Sequence, residues 1–174
     1  SGAVDLTVGD VNNDGKEDLI AADGGGKRLL WYAGTGNGLS SAGLVSTGSV
    51  APAGVAAGDF NRDGWTDLAW TGANAIKQII SSNGSGAAWL NSDTSIATMT
   101  GVTRILAADG DRDGDTDFLA MSPAQGILRW IKNDGAAGLW GAENVATGLA
   151  GLSAVSCGEL VPGGRTEVGS LIAA

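Results

Sequence analysis

Histidine is missing from all 174 residues. Its absence removes the usual general base near neutral pH, the Ser-His-Asp triad and the commonest zinc ligand. Cysteine occurs once, at Cys157, so no intrachain disulfide can form and the chain is not a disulfide-stapled scaffold. Three prolines stand against thirty glycines, which points to many tight turns without the triplet period of collagen. Charged residues are few, 17% against 43% hydrophobic, a balance that fits neither a disordered chain nor a coiled coil. No run of about eighteen apolar residues occurs, so no membrane insertion is expected. The length suffices for one domain with a buried core, taken here as residues 1–174.

Positive charge is scarce as well. A formal charge of -9 argues against nucleic acid or an anionic membrane as partner. The acidity is local: twelve of the nineteen acidic side chains lie in three loops of one design, GDVNNDGKED at 9–18, GDFNRDGWTD at 58–67 and ADGDRDGDTD at 108–117. Three divalent cations there would bring the net charge to about -3.

The loops recur at intervals of 49 and 50 residues, and the surrounding sequence repeats with them. Each is preceded by a short apolar run, at 4–9, 53–58 and 103–108, with a fourth at 152–158. Each is followed by another, at 18–23, 67–72 and 117–122, with a fourth at 167–174. Third runs follow at 28–34, 75–83 and 126–133, where Trp31, Ile80 and Trp130 each fall thirteen residues after the last loop aspartate and are read as equivalent blade core. Weaker fourth runs lie at 43–48, 95–101 and 144–148. The reading is all-β: four-stranded antiparallel units 1–50, 51–100 and 101–150 and a partial unit 151–174, about three and a half blades of a β-propeller. A sandwich is the alternative, but it gives no reason for one loop to return at equal intervals.

Within each loop, side-chain oxygens sit at positions one, three, five and nine: Asp10, Asn12, Asp14, Asp18; Asp59, Asn61, Asp63, Asp67; and Asp109, Asp111, Asp113, Asp117. Position six is Gly15, Gly64 or Gly114, where the chain must turn sharply. Position seven varies as Lys16, Trp65 and Asp115, which fits a ligand supplied by the backbone carbonyl. Hard oxygen donors around an inner glycine are what calcium asks for, and three ions per chain are expected. The alternative of ordinary Asp/Asn/Gly turns does not explain three copies in register. A fourth copy, CGELVPGGRTEV at 157–168, keeps Glu159 and Glu167 but carries Val161 and Gly163 at ligand positions and Arg165 nearby, so no metal is expected there.

DVNNDGKEDL, DFNRDGWTDL and DGDRDGDTDF resemble the calcium loops of the FG-GAP/VCBS repeat family, known from the integrin alpha-subunit propeller and from bacterial and fungal secreted proteins. The resemblance spans essentially the whole chain. It implies a β-propeller with calcium held between the first two strands of each blade, an extracellular setting, and relatives that include lectins with glycan pockets between blades.

Six tryptophans bear on a second function. Trp70 is assigned to the core. Trp65 is expected to point outward from its loop, and Trp89 and Trp140 are placed in long polar connections, aligned with Leu39. There they would serve either as sugar-stacking platforms or as plugs over the blade edge. Glycan recognition through Trp65, Trp89 and Trp140 is therefore weighed against a structural or self-assembling module without a sugar ligand. An enzyme is not expected: the acids left over, such as Asp5, Asp23, Asp93, Asp134 and Glu143, have no partner at useful spacing. The apolar ending EVGSLIAA leads to the expectation of a homo-oligomer, a dimer in the simplest case, unless 1–174 is part of a longer protein whose neighbour supplies further blades. A secreted origin would mean that a leader is already gone, with Ser1 either that mature end or an arbitrary boundary.

Overall fold

A computed structural model describes residues 2–41, 43–46, 50–81, 89–135, 140–159 and 166–172. Three four-stranded antiparallel sheets follow one another along the chain. The first holds β1 (Ala3–Gly9), β2 (Asp18–Asp23), β3 (Arg28–Tyr32) and β4 (Gly43–Ser46), side by side in that order. The second holds β5 (Gly54–Gly58), β6 (Asp67–Gly72), β7 (Ala75–Ser81) and β8 (Trp89–Thr98). The third holds β9 (Arg104–Ala108), β10 (Asp117–Ser122), β11 (Ile127–Asn133) and β12 (Trp140–Ala146). A two-stranded ribbon of β13 (Leu152–Glu159) and β14 (Thr166–Ile172) comes last. The all-β, blade-like reading of the sequence holds.

The second strands read as continuous apolar runs because both of their faces are covered: DLAWTG and DFLAMS are buried at every position. Adjacent sheets share a core. Ile20, Ala22 and Leu29 of the first sheet meet Val55, Leu68, Trp70 and Ile79 of the second. Ala56, Ala69 and Ile76 of the second meet Ile105, Phe118 and Ile131 of the third. Leu119, Met121 and Leu128 of the third meet Leu152 and Val155 of β13. The first strands β1, β5 and β9 line a common cavity of about 420 Å³. There the Asp5 carboxylate accepts from the Val55 N–H at 3.1 Å and from the Arg104 guanidinium at 3.2 Å, joining three sheets.

Two expectations need correction. Trp89 and Trp140 do not lie in connections: they open the outermost strands β8 and β12, which start earlier than their weak β patterns suggested. The equivalence of Trp31, Ile80 and Trp130 also fails. Trp31 sits opposite Ile20 and Trp130 opposite Leu119, but the matching partner in the second sheet, Ala69, faces Gln78. The cause is turn length. Residues 24–27 and 123–126 make the other two turns, whereas only Ala73 and Asn74 connect β6 to β7. Both adopt the left-handed φ values, 48° and 65°, that a two-residue hairpin of this hand requires. A hairpin shorter by two residues moves its partner strand by two, so equal sequence spacing does not mean equal place.

Candidate metal centres

Each Asp-rich loop leaves the end of a first strand and returns into a second, so all three lie at the same end of their sheets. Each makes two left-handed residues. Position six is glycine at φ 82°, 84° and 88°. Position four is Asn13, Arg62 or Arg112 at 56°, 61° and 64°, a requirement that the residue types there do not announce for the two arginines.

These turns aim backbone N–H groups inward at the carboxylates. The position-six N–H donates to position one, Gly15 to Asp10 and Gly64 to Asp59 at 2.8 Å and Gly114 to Asp109 at 3.1 Å. The position-five N–H donates to position three, over 3.0 Å to Asn12, 2.9 Å to Asn61 and 3.3 Å to Asp111. The position-seven N–H donates to position five, over 3.0 Å to Asp14, 2.8 Å to Asp63 and 2.9 Å to Asp113. Positions one, three and five are thus held in one concave turn before any ion is considered. That turn opens outward, with Asp14, Asp63, Asp111 and Asp113 exposed.

Position nine does something the sequence reading did not assign to it. Asp18, Asp67 and Asp117 are buried. One oxygen of each accepts the N–H of position two: Val11 and Phe60 at 3.1 Å, Gly110 at 3.0 Å. The other accepts an N–H beyond the third strand or at its end: Gly34 and Ser81 at 2.7 Å, Asn133 at 2.8 Å. Trp31 and Trp130 add their indole N–H to Asp18 and Asp117 at 3.0 and 2.9 Å. These two tryptophans therefore serve the loop as well as the core, and their shared spacing of thirteen residues was the sequence signal for it. Burial pushes Asp67 up to about 7, with Asp63 and Asp59 adding to the rise against the N–H groups of Ser81 and Phe60. Burial raises Asp117 as well, with Asp111 contributing.

The third loop is the most acidic. One oxygen from each of Asp109, Asp111 and Asp117 lies within 4.8 Å of the others. Asp109 Oδ1 is buried and accepts no hydrogen bond, the kind of orphaned acceptor that a cation would satisfy. In the first two loops position three is an asparagine, and among the described residues no comparable carboxylate trio forms there.

Basic side chains also reach the loops. Lys132 Nζ contacts Asp111 and lies 3.4 Å from Asp113. The N–H of Asp115 first, and then Lys132, hold the Asp113 carboxyl below the usual carboxylate range. Lys16 does the same for Asp14 at 3.0 Å. Asp115 is buried and ion-paired with Arg62, whose guanidinium also donates to the Asp113 carbonyl at 3.1 Å. Arg62 belongs to the second loop, so loops two and three are joined. Lys132 and Arg62 were not found from sequence because Lys132 lies outside the motif and Arg62 stands at its fourth position, which supplies no ligand.

A model of the FG-GAP-like repeat matches residues 10–70 and 59–120. The chain belongs to the FG-GAP-like repeat family. The matched FG-GAP-like segments begin at the first loop and overlap across the second, so the family pattern and the sheet pattern advance in step. No curated protein matches the chain. Of the fourth loop of this FG-GAP-like chain, Val161, Gly163 and Arg165 lie outside the described residues.

The proposed aromatic platform has a different setting from the one expected. Trp140 stacks on Phe118 with ring centroids 5.2 Å apart, and Phe118 packs edge-on against Phe60 at 4.6 Å. Trp89 packs against the core between the first two sheets. Trp65 is half-buried. A cleft of about 180 Å³ between the second and third sheets is lined by Asn61, Gln78, Ile80, Asn133 and Trp140 among others.

Proposed function

We propose that this chain is an extracellular, calcium-stapled β-propeller module with no catalytic activity, binding one calcium ion at each of its three complete loops. The observation that carries the reading is the convergence of Asp109, Asp111 and Asp117 around a buried Asp109 oxygen without a donor. An all-oxygen donor set with a carbonyl available at Lys16, Trp65 or Asp115 suits a hard cation of flexible coordination number. Calcium at these loops offsets the repulsion among clustered carboxylates. Binding in the range typical of extracellular modules would keep the loops filled outside the cell and not inside. Elemental analysis and titration calorimetry on protein equilibrated with calcium test this: three ions per chain are expected, and none or one would overturn it.

A second reading, glycan binding, is favoured by the amide-rich cleft beside Trp140. Against it, Trp140 gives a ring face to Phe118, and the Asn133 amide already donates to the Phe60 carbonyl at 2.9 Å. The structural role for Trp89 and Trp140 is thus the better supported. A glycan array with calcium-loaded protein separates the two, because a structural module gives no saturable sugar signal.

A further inference from the structure

The blades of this chain stack by one rule. Each presents a rear face to the sheet before it and a forward face to the sheet after it. On the first strands the rear face carries Val55 in the second sheet, Ile105 in the third and Val155 in the ribbon, and all three are buried against the preceding sheet. On the forward face β9 carries Leu106, but in the first two sheets this face is small, with Thr7 and Gly9 in β1 and Gly54, Ala56 and Gly58 in β5. Close approach demands this, since a Cβ at Gly54 would lie 2.8 Å from the Thr103 carbonyl oxygen of the next unit, and one at Gly9 would lie 3.2 Å from the Ala57 Cβ.

The rear face of the first sheet has the same apolar character and no cover among the described residues. Leu6, Ala21, Leu30 and Leu44 run across its four strands by direct pairing, and Val8, Leu19 and Tyr32 form the adjacent row. Leu6 is 55% exposed, Val8 62%, Val4 53% and Leu44 58%, whereas Val55 and Ile105, in the place of Leu6, are at 2% and 1%. Four large apolar side chains on one face make a patch of the kind that marks an interaction site. The charges at its border, Asp23 and Arg28, are paired with each other at 3.0 Å. For a chain of charge -9 this face is where a second negative molecule can approach without opposing like charges.

The opposite end of the stack supplies what this face is shaped to receive. In β13, Val155 turns back into the third sheet, while its neighbours Ala154 and Ser156 turn forward, half-buried and exposed. They are small residues, as on the forward faces of β1 and β5. We propose that the rear face of the first sheet is a contact between copies of this chain, seating the forward face of β13, at Ala154 and Ser156, of a second copy. The contact continues the blade-on-blade packing that the chain repeats internally, and a two-fold pair makes it twice. The proposal is independent of calcium and of any glycan.

Sedimentation velocity across a dilution series, in calcium, tests it. The wild-type chain is expected at twice its mass of 17.2 kDa. Leu6→Glu and Ala154→Arg, on the two sides of the contact, should each give folded monomers with native circular dichroism. Val145→Glu, on a residue as exposed as Leu6 but on β12, should remain paired. Should Leu6→Glu unfold, Leu44→Glu on the outer strand of the same face carries the same expectation. A wild-type monomer at every concentration overturns the proposal, as does dissociation by Val145→Glu. An Ala154→Arg protein that stays paired overturns the ribbon as occupant.

Discussion

The position-nine aspartates show how one residue type serves two purposes. A carboxylate that accepts from two buried N–H groups closes the loop whether or not an ion is present, because those donors would otherwise be orphaned. Among the described residues Asp67 accepts from two backbone N–H groups, where Asp18 and Asp117 gain an indole as well, and it is raised to about 7. The raised value means that the folded state holds this proton more tightly than the unfolded state, where the ordinary value is 3.8. Between those two values the folded protein binds more protons, so stability falls as pH rises through the window and is flat above it. In chelator, urea melts of the wild type should therefore show higher midpoints at pH 5 than at pH 8. Asp67→Asn, which cannot titrate, should lose that part of the slope, and parallel slopes in the two proteins would refute the assignment. Gly64→Ala probes the turn alone. Its φ is 84° and no atom lies within 4 Å of the added methyl, so the cost is backbone strain of about 1–2 kcal/mol, read from the shift in urea midpoint.

At the scale of elements, the second strand of each sheet and the loop before it behave as one unit. The loop ends in an aspartate that is the first residue of β2, β6 or β10, and in β6 and β10 the apolar run after it is buried on both faces. Loop order and blade packing are therefore coupled. Phe118, one residue beyond Asp117, is fully buried between Phe60 and Trp140. Phe118→Ala should cost about 3–5 kcal/mol in urea unfolding, the range for deleting a buried aromatic ring. It should also shift the emission of a tryptophan whose stacking partner is gone. Near wild-type stability would mean that the interface between the second and third sheets contributes little.

For the whole molecule the relevant quantity is how ion binding spreads through a stack in which neighbours touch. Calcium that binds only the folded loops stabilises by mass action, by about 2.7 kcal/mol per site at a free concentration one hundred times the dissociation constant. Exhaustive chelation should lower the melting temperature of the wild type. Asp63→Ala, which removes a charge and a donor from the middle loop, should melt between loaded and chelated wild type. An unchanged melting temperature after chelation would show that the loops do not stabilise the fold through an ion. The Arg62–Asp115 pair makes the second and third loops the ones to respond together.

Much of this protein is legible in its sequence, because strand burial and turn chemistry are local properties. The runs DLIAAD, DLAWTG and DFLAMS are strands over the residues read from their apolar content, and Gly15, Gly64 and Gly114 take the left-handed turn that their place in the loop required. What the sequence could not determine depends on distances between residues far apart in it. The two-residue turn at Ala73 and Asn74 undoes the apparent match of Ile80 with Trp31, because register is set by the hairpin and not by counting from the loop. Trp140 joins the ring cluster only once the second and third sheets meet, and Lys132 reaches Asp111 only because β11 returns beside the loop. The sequence by itself determined the elements, their period and the identity of the donor groups. Tertiary structure alone decided which donors are satisfied from within, which face outward, and that the rear of the first sheet is left bare, since burial and hydrogen-bond satisfaction are properties of pairs and surfaces, not of residues.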